Sequence, residues 1–211
     1  MKKITIICTV IILIMLSACS STTHISSWWL RLEDVDELMY YATHVVRVEV
    51  IGENVQRIDM RMSIHPDDAG PRYSIVTIYE VRITEIFQGE GNPGDIINVM
   101  QSGGRLGREE WICNDKISFA IGDDVILFLN DFRAYNNLHF ALLTPWQSVF
   151  KITPSTALSP NATHMPSILT DGEIASLPGN HITLTPADLR AIAESNNIPA
   201  GMDIARTWDT H

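Results

Sequence analysis

The chain has 211 residues, 45% of them hydrophobic, which suffices for one ordinary hydrophobic core without disulfide staples. Its formal net charge is −10, and residues 1–18 hold Lys2 and Lys3 with no acid, so the remainder stands two charges lower, at −12. So acidic a body argues against nucleic acid as a partner, because phosphates need Lys and Arg. An anionic membrane surface would repel it as well.

Met1-Lys2-Lys3 precedes a run from Ile4 to Leu16 that only Thr5, Cys8 and Thr9 interrupt. A basic start, an apolar stretch of about 13 residues and small residues after it describe a secretory signal. The run is shorter than the roughly 17 to 25 residues that a membrane span requires. Leu16-Ser17-Ala18-Cys19 resembles the lipobox of bacterial lipoproteins. That resemblance implies diacylglyceryl transfer to the Cys19 thiol and cleavage between Ala18 and Cys19. It also implies residence on the extracytoplasmic face of the cell membrane, held by lipid. Two acyl chains make such an anchor lasting, where one would not. Cys8 leaves with the signal and Cys19 carries lipid, so Cys113 remains alone and the body has no disulfide framework.

Residues 19–32 read as a tether. Trp28 and Trp29 within it suit either a membrane interface or the start of the fold. Glu33, Asp34, Asp36 and Glu37 then load the front of a short helix, where carboxylates favour the dipole. Val35, Leu38, Met39 and Ala42 form its apolar face. The period next switches to two, with Val46, Val48 and Val50 alternating against Arg47 and Glu49, and a second alternating run follows Gly52. "HPDDAGP" (His65 to Pro71) reads as a loop. Tyr73 to Phe87 reads as one long strand, apolar on both faces over Ile75 to Ile78 and half-exposed beyond. "QGEGNPGD" turns the chain into a strand from Ile96 to Met100, and "SGGRLG" reads as a flexible break. Further strands are expected near Trp111, over Val125 to Leu129, Leu138 to Leu143 and Ser148 to Ile152. A Pro-, Ser- and Thr-rich excursion follows, then a hairpin turn at Asp171-Gly172. The clearest helix starts at Thr185, with Pro186 at its first position and Asp188 closing a capping box. Leu189, Ile192 and Ala193 should pack back on the body, and the tail from Ile198 reads as loose. Many short strands joined by Gly-rich turns predict a mainly β fold. The expected architecture is a small OB-like β-barrel over 33–152, with a C-terminal loop, hairpin and helix over 153–211.

The residues capable of chemistry are sparse. None of the seven histidines lies within four residues of another, unlike the close spacing of a metal site. The doublets Asp67-Asp68, Glu109-Glu110 and Asp123-Asp124 read as solvated, since neighbours on a strand face opposite ways. Ser102-Gly103-Gly104 lacks the Gly-x-Ser-x-Gly elbow of a hydrolase. Cys113 has Asn114, Asp115 and two glutamates near it in sequence, so a small core thiol is expected rather than a nucleophile. Asn161-Ala162-Thr163 matches a glycosylation sequon by chance. Nothing names a reaction, a metal or a cofactor.

"DELMYYATHVVRVEVIG", "VRITEIFQGEGNPGDIINVMQSGG", "ISFAIGDDVILFLN" and "PWQSVFKI" together resemble a group of uncharacterised bacterial lipoproteins of Gram-positive type. The resemblance covers most of 33–152 and implies a compact OB-like barrel without an established activity. The same strand pattern is distantly similar to netrin-like domains and TIMP-type metalloproteinase inhibitors. Those inhibitors present a disulfide-locked N-terminal cysteine to a protease zinc. Here Cys19 is assigned to lipid and Cys113 has no partner, so that wedge is missing. The sequence departs from its group at Arg47 and Glu49, at Gln88 where Lys is usual, and at Asp124 and Ile126. The expectation is therefore a lipid-anchored, non-catalytic interaction module of the envelope whose partner is an unknown envelope protein or ligand, with Trp111 and Trp146 as candidate contacts. The alternatives are an envelope enzyme using Cys113 or the Ser102 loop, or an inhibitor of an envelope protease. Replacing Cys19 with Ala should abolish labelling by radioactive fatty acid and leave uncleaved precursor on a gel, whereas surviving label removes the anchor.

Overall fold

A computed structural model describes residues 21–25, 29–60, 73–134, 139–154 and 172–195. The signal segment with Cys19, Trp28, the His65–Pro71 loop, the excursion over 155–171 with Asn161, Asp171, and the tail from Ile198 lie outside the described residues.

Two sheets carry the fold. The larger one is built from β2 (His44–Asp59), β3 (Tyr73–Gln88), β4 (Ile96–Ser102), β7 (Asp124–Asp131), β8 (Phe140–Leu142), β9 (Val149–Pro154) and β10 (Gly172–Ser176). Its order is β10-β9-β7-β2-β3-β4-β8, and β8 also pairs with β7. Five strands thus form a partly closed ring, β2-β3-β4-β8-β7 and back to β2. Every ring pairing is antiparallel except β4 with β8. Taken in ring order, the strands come first, second, third, fifth and fourth in the chain, the connection of an OB-like barrel. A smaller sheet, ordered β1-β6-β5, joins β1 (Ser21–Ile25), β5 (Gly104–Leu106) and β6 (Glu109–Cys113).

The alternation of side chains divides the core into layers. Val46, Val48, Val50, Val125, Leu127 and Leu129 point into the ring with Tyr79, Val81, Ile83 and Phe140. Val45, Ile126, Phe128 and Phe150 point outward. Two helices cover that outer face: α1 (Val35–Tyr41) contributes Leu38 and Met39, and α2 (Pro186–Glu194) contributes Leu189 and Ile192. Residues 125–129 are apolar at every position because both their faces are covered. A third cluster, Val76, Ile78 and Met100, accounts for the apolar first half of β3. α2 starts as expected, and α1 starts within its acidic stretch. Asp34 accepts from the Glu37 amide, and Thr185 with Asp188 completes a reciprocal capping box.

The structure corrects several expectations. The two runs separated by Gly52 are one 16-residue strand, β2. Its register against β3 shifts at Val45/Val46, Arg47/Val48 and Val50/Gly52, and such bulges bend a strand enough to close a ring. Gly172 is paired with Pro154 rather than turning, so the β9–β10 hairpin is made across the excursion. The span read as a tether is docked where it is described. Ser21–Ile25 lies parallel to β6, and both amide atoms of Gln147 bond the Leu32 backbone, at 3.0 and 2.7 Å. The backbone gains partners in each case, which a free linker would forgo.

Arg47 also departs from the pattern read for it. It sits on the outer face of β2 only 4% exposed, where alternation alone suggested solvent. Its Nε and Nη2 donate to the Asp124 carboxylate at 2.9 and 2.5 Å, and Nη1 donates to Glu85 at 2.8 Å. Asp124 belongs to β7 and Glu85 to β3, so one guanidinium ties together three adjacent strands. Asp124 is accordingly an ion-pair partner rather than a solvated acid. Asp123 caps the Ala120 amide, and Glu109 pairs with Arg57. Replacing Arg47 with Met should cost about 2–4 kcal/mol, because two partly buried carboxylates lose their cation. A loss below about 1 kcal/mol in denaturant titration would show that the triad carries little.

Candidate functional site

The residues that sequence reasoning weighed separately converge where the small sheet meets the ring. At the end of β4 the chain must drop from one sheet into the other within two residues, Gly103 and Gly104. Both have positive φ, +94° and +142°. A Cβ on Gly103 would lie 2.9 Å from the Trp111 carbonyl oxygen and 3.3 Å from Cys113 Cβ. A Cβ on Gly104 would lie 2.8 Å from both Thr77 Oγ1 and Val55 Cγ1. Only glycine fits such a crossing. "SGGRLG" is therefore a tight crossover and not a flexible break, and Gly103 is bonded on both sides. Its amide donates to the Ile75 carbonyl at 2.9 Å, and its carbonyl accepts from the Thr77 hydroxyl at 2.7 Å.

Lys116 completes the cluster. Its ammonium donates to Thr77 Oγ1 at 2.7 Å, approaches Glu53 Oε1 at 3.9 Å and lies 5.9 Å from the Tyr79 ring centre. Burial lowers the Lys116 pKa, and the Glu53 carboxylate and the Cys113 sulfur partly offset that. The Lys116 amide donates to the Cys113 carbonyl at 3.2 Å, which closes the turn that follows β6. Gln101 clamps the next residue, accepting from the Ile117 amide and donating to its carbonyl. Tyr79 is buried against the same segment, and its phenol is pushed up to about 12, mainly by burial and further by Glu53.

Cys113 is half-buried and belongs to none of the three apolar clusters, so the thiol lies outside the core in which the sequence reading placed it. Trp111 is half-buried on the same strand, whereas Trp146 is 40% exposed in the turn between β8 and β9. The two tryptophans thus stand on separate elements. Trp29 is exposed and donates from Nε1 to Asp115 at 3.2 Å, which returns the N-terminal segment to the end of β6. Sequence reading missed Lys116, three residues after Cys113, because its partners Thr77 and Glu53 come from other strands. Among the described residues, every buried side-chain nitrogen and oxygen has a hydrogen-bond partner, and no group of three or more His, Cys, Asp or Glu is disposed to hold a metal ion. A cleft of about 320 Å³ opens between the two helix starts, lined by Glu33, Asp34, Asp36, His181 and Asp188 among others. Its Asp34 and Asp188 carboxylates are already spent on caps.

A second polar centre sits at the other end of the ring. His44 is 6% exposed, and its ring presses on Gly89, where a Cβ would come within 2.4 Å. Nε2 accepts from the Glu90 amide at 3.2 Å, and Nδ1 lies 3.0 Å from Thr43 Oγ1, whose hydroxyl donates to the Leu129 carbonyl. This network assigns a neutral imidazole with its proton on Nδ1. Arg133 stacks on Phe140 and pairs with Asp131 close by. Burial is the main cause of a lowered His44 pKa; Arg133 lowers it further, while Asp131 and Glu90 oppose the shift.

No family model matches this chain, and no curated protein matches it.

A histidine depressed by folding binds fewer protons than its unfolded counterpart. Its contribution to stability is complete above the ordinary value of 6.5 and is lost as pH falls below that. His139, also lowered by burial, adds a contribution of the same sign. The denaturation midpoint should therefore drop between about pH 7.5 and about pH 5.5. His44→Gln should flatten that drop in part; an unchanged slope would remove His44 as a cause.

Proposed function

We propose that this protein is a lipid-anchored, extracytoplasmic interaction module of the cell envelope, without catalytic chemistry of its own. The observation that carries the reading is the sequence Leu16-Ser17-Ala18-Cys19 closing a short apolar run. The small barrel supports it, since such barrels offer strand faces and loops as binding surface. Among the described residues no helix is long and apolar enough to cross a membrane.

One observation favours a second reading, an envelope enzyme acting through Cys113. A partly desolvated lysine follows a half-buried thiol by one turn of chain, and a nearby cation can activate a nucleophile. Against it, Lys116 is engaged by Thr77 and Glu53, and the thiol sits where Gly103 closes the sheet crossing.

Photo-crosslinking in intact cells, followed by identification of what is captured, tests the proposal. The interaction reading expects one recurrent envelope partner whose capture Cys113→Ser leaves unchanged. A covalent adduct on Cys113 that vanishes in Cys113→Ser and weakens in Lys116→Met would replace it with the enzyme reading.

A further inference from the structure

Resting on the lipid-anchor reading, we propose that the turn between β5 and β6 is a second contact with the bilayer. The small sheet then stands end-on against the leaflet that holds the lipid. Ser21 lies two residues after Cys19, so their Cα atoms are at most about 7 Å apart. Ser21 is not free to carry the lipid elsewhere. Its amide donates to the Arg108 carbonyl at 3.1 Å, and Ser21 is in register with Glu109, as Leu106 is on the other side. The acyl chains must therefore enter the membrane beside Leu106, Gly107 and Arg108.

What stands at that end suits a lipid interface. Leu106 is 37% exposed at the tip, and Arg105 and Arg108 are exposed on either side of it. Arg57 reaches the same end from β2 through its ion pair with Glu109, and Tyr73, opposite Asp59 at the same end of β3, is 54% exposed. A leucine flanked by arginines buries its side chain at the acyl boundary while the guanidinium groups stay among headgroups. The charge distribution points the same way. The tip has three arginines (57, 105 and 108) against three acids (Asp59, Glu109 and Glu110), so it is neutral in a mature chain of −12. An anionic leaflet repels the body as a whole, so the orientation of lowest energy turns the arginine-bearing end toward the lipid. The occupant of this end is thus the leaflet and not a protein.

The test uses the full-length lipoprotein purified from membranes and reconstituted in vesicles of phosphatidylcholine and phosphatidylglycerol that carry a nitroxide on the lipid headgroup. Three single-label proteins, Leu106→Cys, Arg108→Cys and Glu90→Cys, are made on a Cys113→Ser background and labelled with bimane; Cys113→Ala serves if Ser disturbs the fold. Glu90 reports from the His44 end of the ring, by the β3–β4 turn. Quenching at 106 and 108 should exceed that at 90 severalfold. Mass spectrometry of the N-terminal peptide separates the two ways of failing. Equal quenching at all three positions, with diacylglyceryl present on Cys19, overturns the orientation and leaves the anchor standing. Absence of lipid from Cys19 overturns both.

Discussion

A guanidinium with 4% exposure between two carboxylates is the constraint around which the central strands are arranged. β2 has the inside of the ring on one side and the helix layer on the other, so a charge on its outer face lacks solvent. Arg47 is tolerated there because β7 and β3 each supply a carboxylate at hydrogen-bond distance. A bidentate pair with Asp124 fixes the guanidinium plane, and Glu85 takes the remaining side. Slipping β2 by one residue against either neighbour would point Arg47 into the apolar ring interior and leave both acids unpaired. The triad thus acts as a register pin, a role for buried ion pairs that is better grounded than net stabilisation.

The triad also explains a feature that looked arbitrary in the sequence. Arg47 and Asp124 come from distant stretches of the sequence, and they bond each other. Gln88 donates to the Ala42 carbonyl and ties the end of β3 to the end of α1. Each of these polar side chains is answered within the fold.

Element by element, the fold was legible wherever a local rule governs. The capping box at Thr185, the acidic front of α1 and the alternation over Val46 to Val50 each depend on residues within one turn or one strand. The long β3 could be read because its two halves differ in composition for a physical reason, an extra apolar cluster against the first half. What stayed illegible was pairing at a distance. Ser21–Ile25 is polar and short, and only its partner β6 makes it a strand. Gly103 and Gly104 looked like a loose break because glycine marks both looseness and tight crossing. The neighbours at 2.8–2.9 Å are what decide between them.

By itself the sequence determined the acidity of the chain, the positions of both helices and the mainly β character, because each is set by composition or by neighbours a few residues apart. Only the tertiary structure decided that Arg47 is buried and paired and that Lys116 reaches Thr77 and Glu53. It alone seats Ser21 against Arg108, leaving the described part of the expected tether docked. Each of those contacts joins residues on different strands or across a turn. Register and ring closure set such distances, and neither is written in any single stretch of the chain.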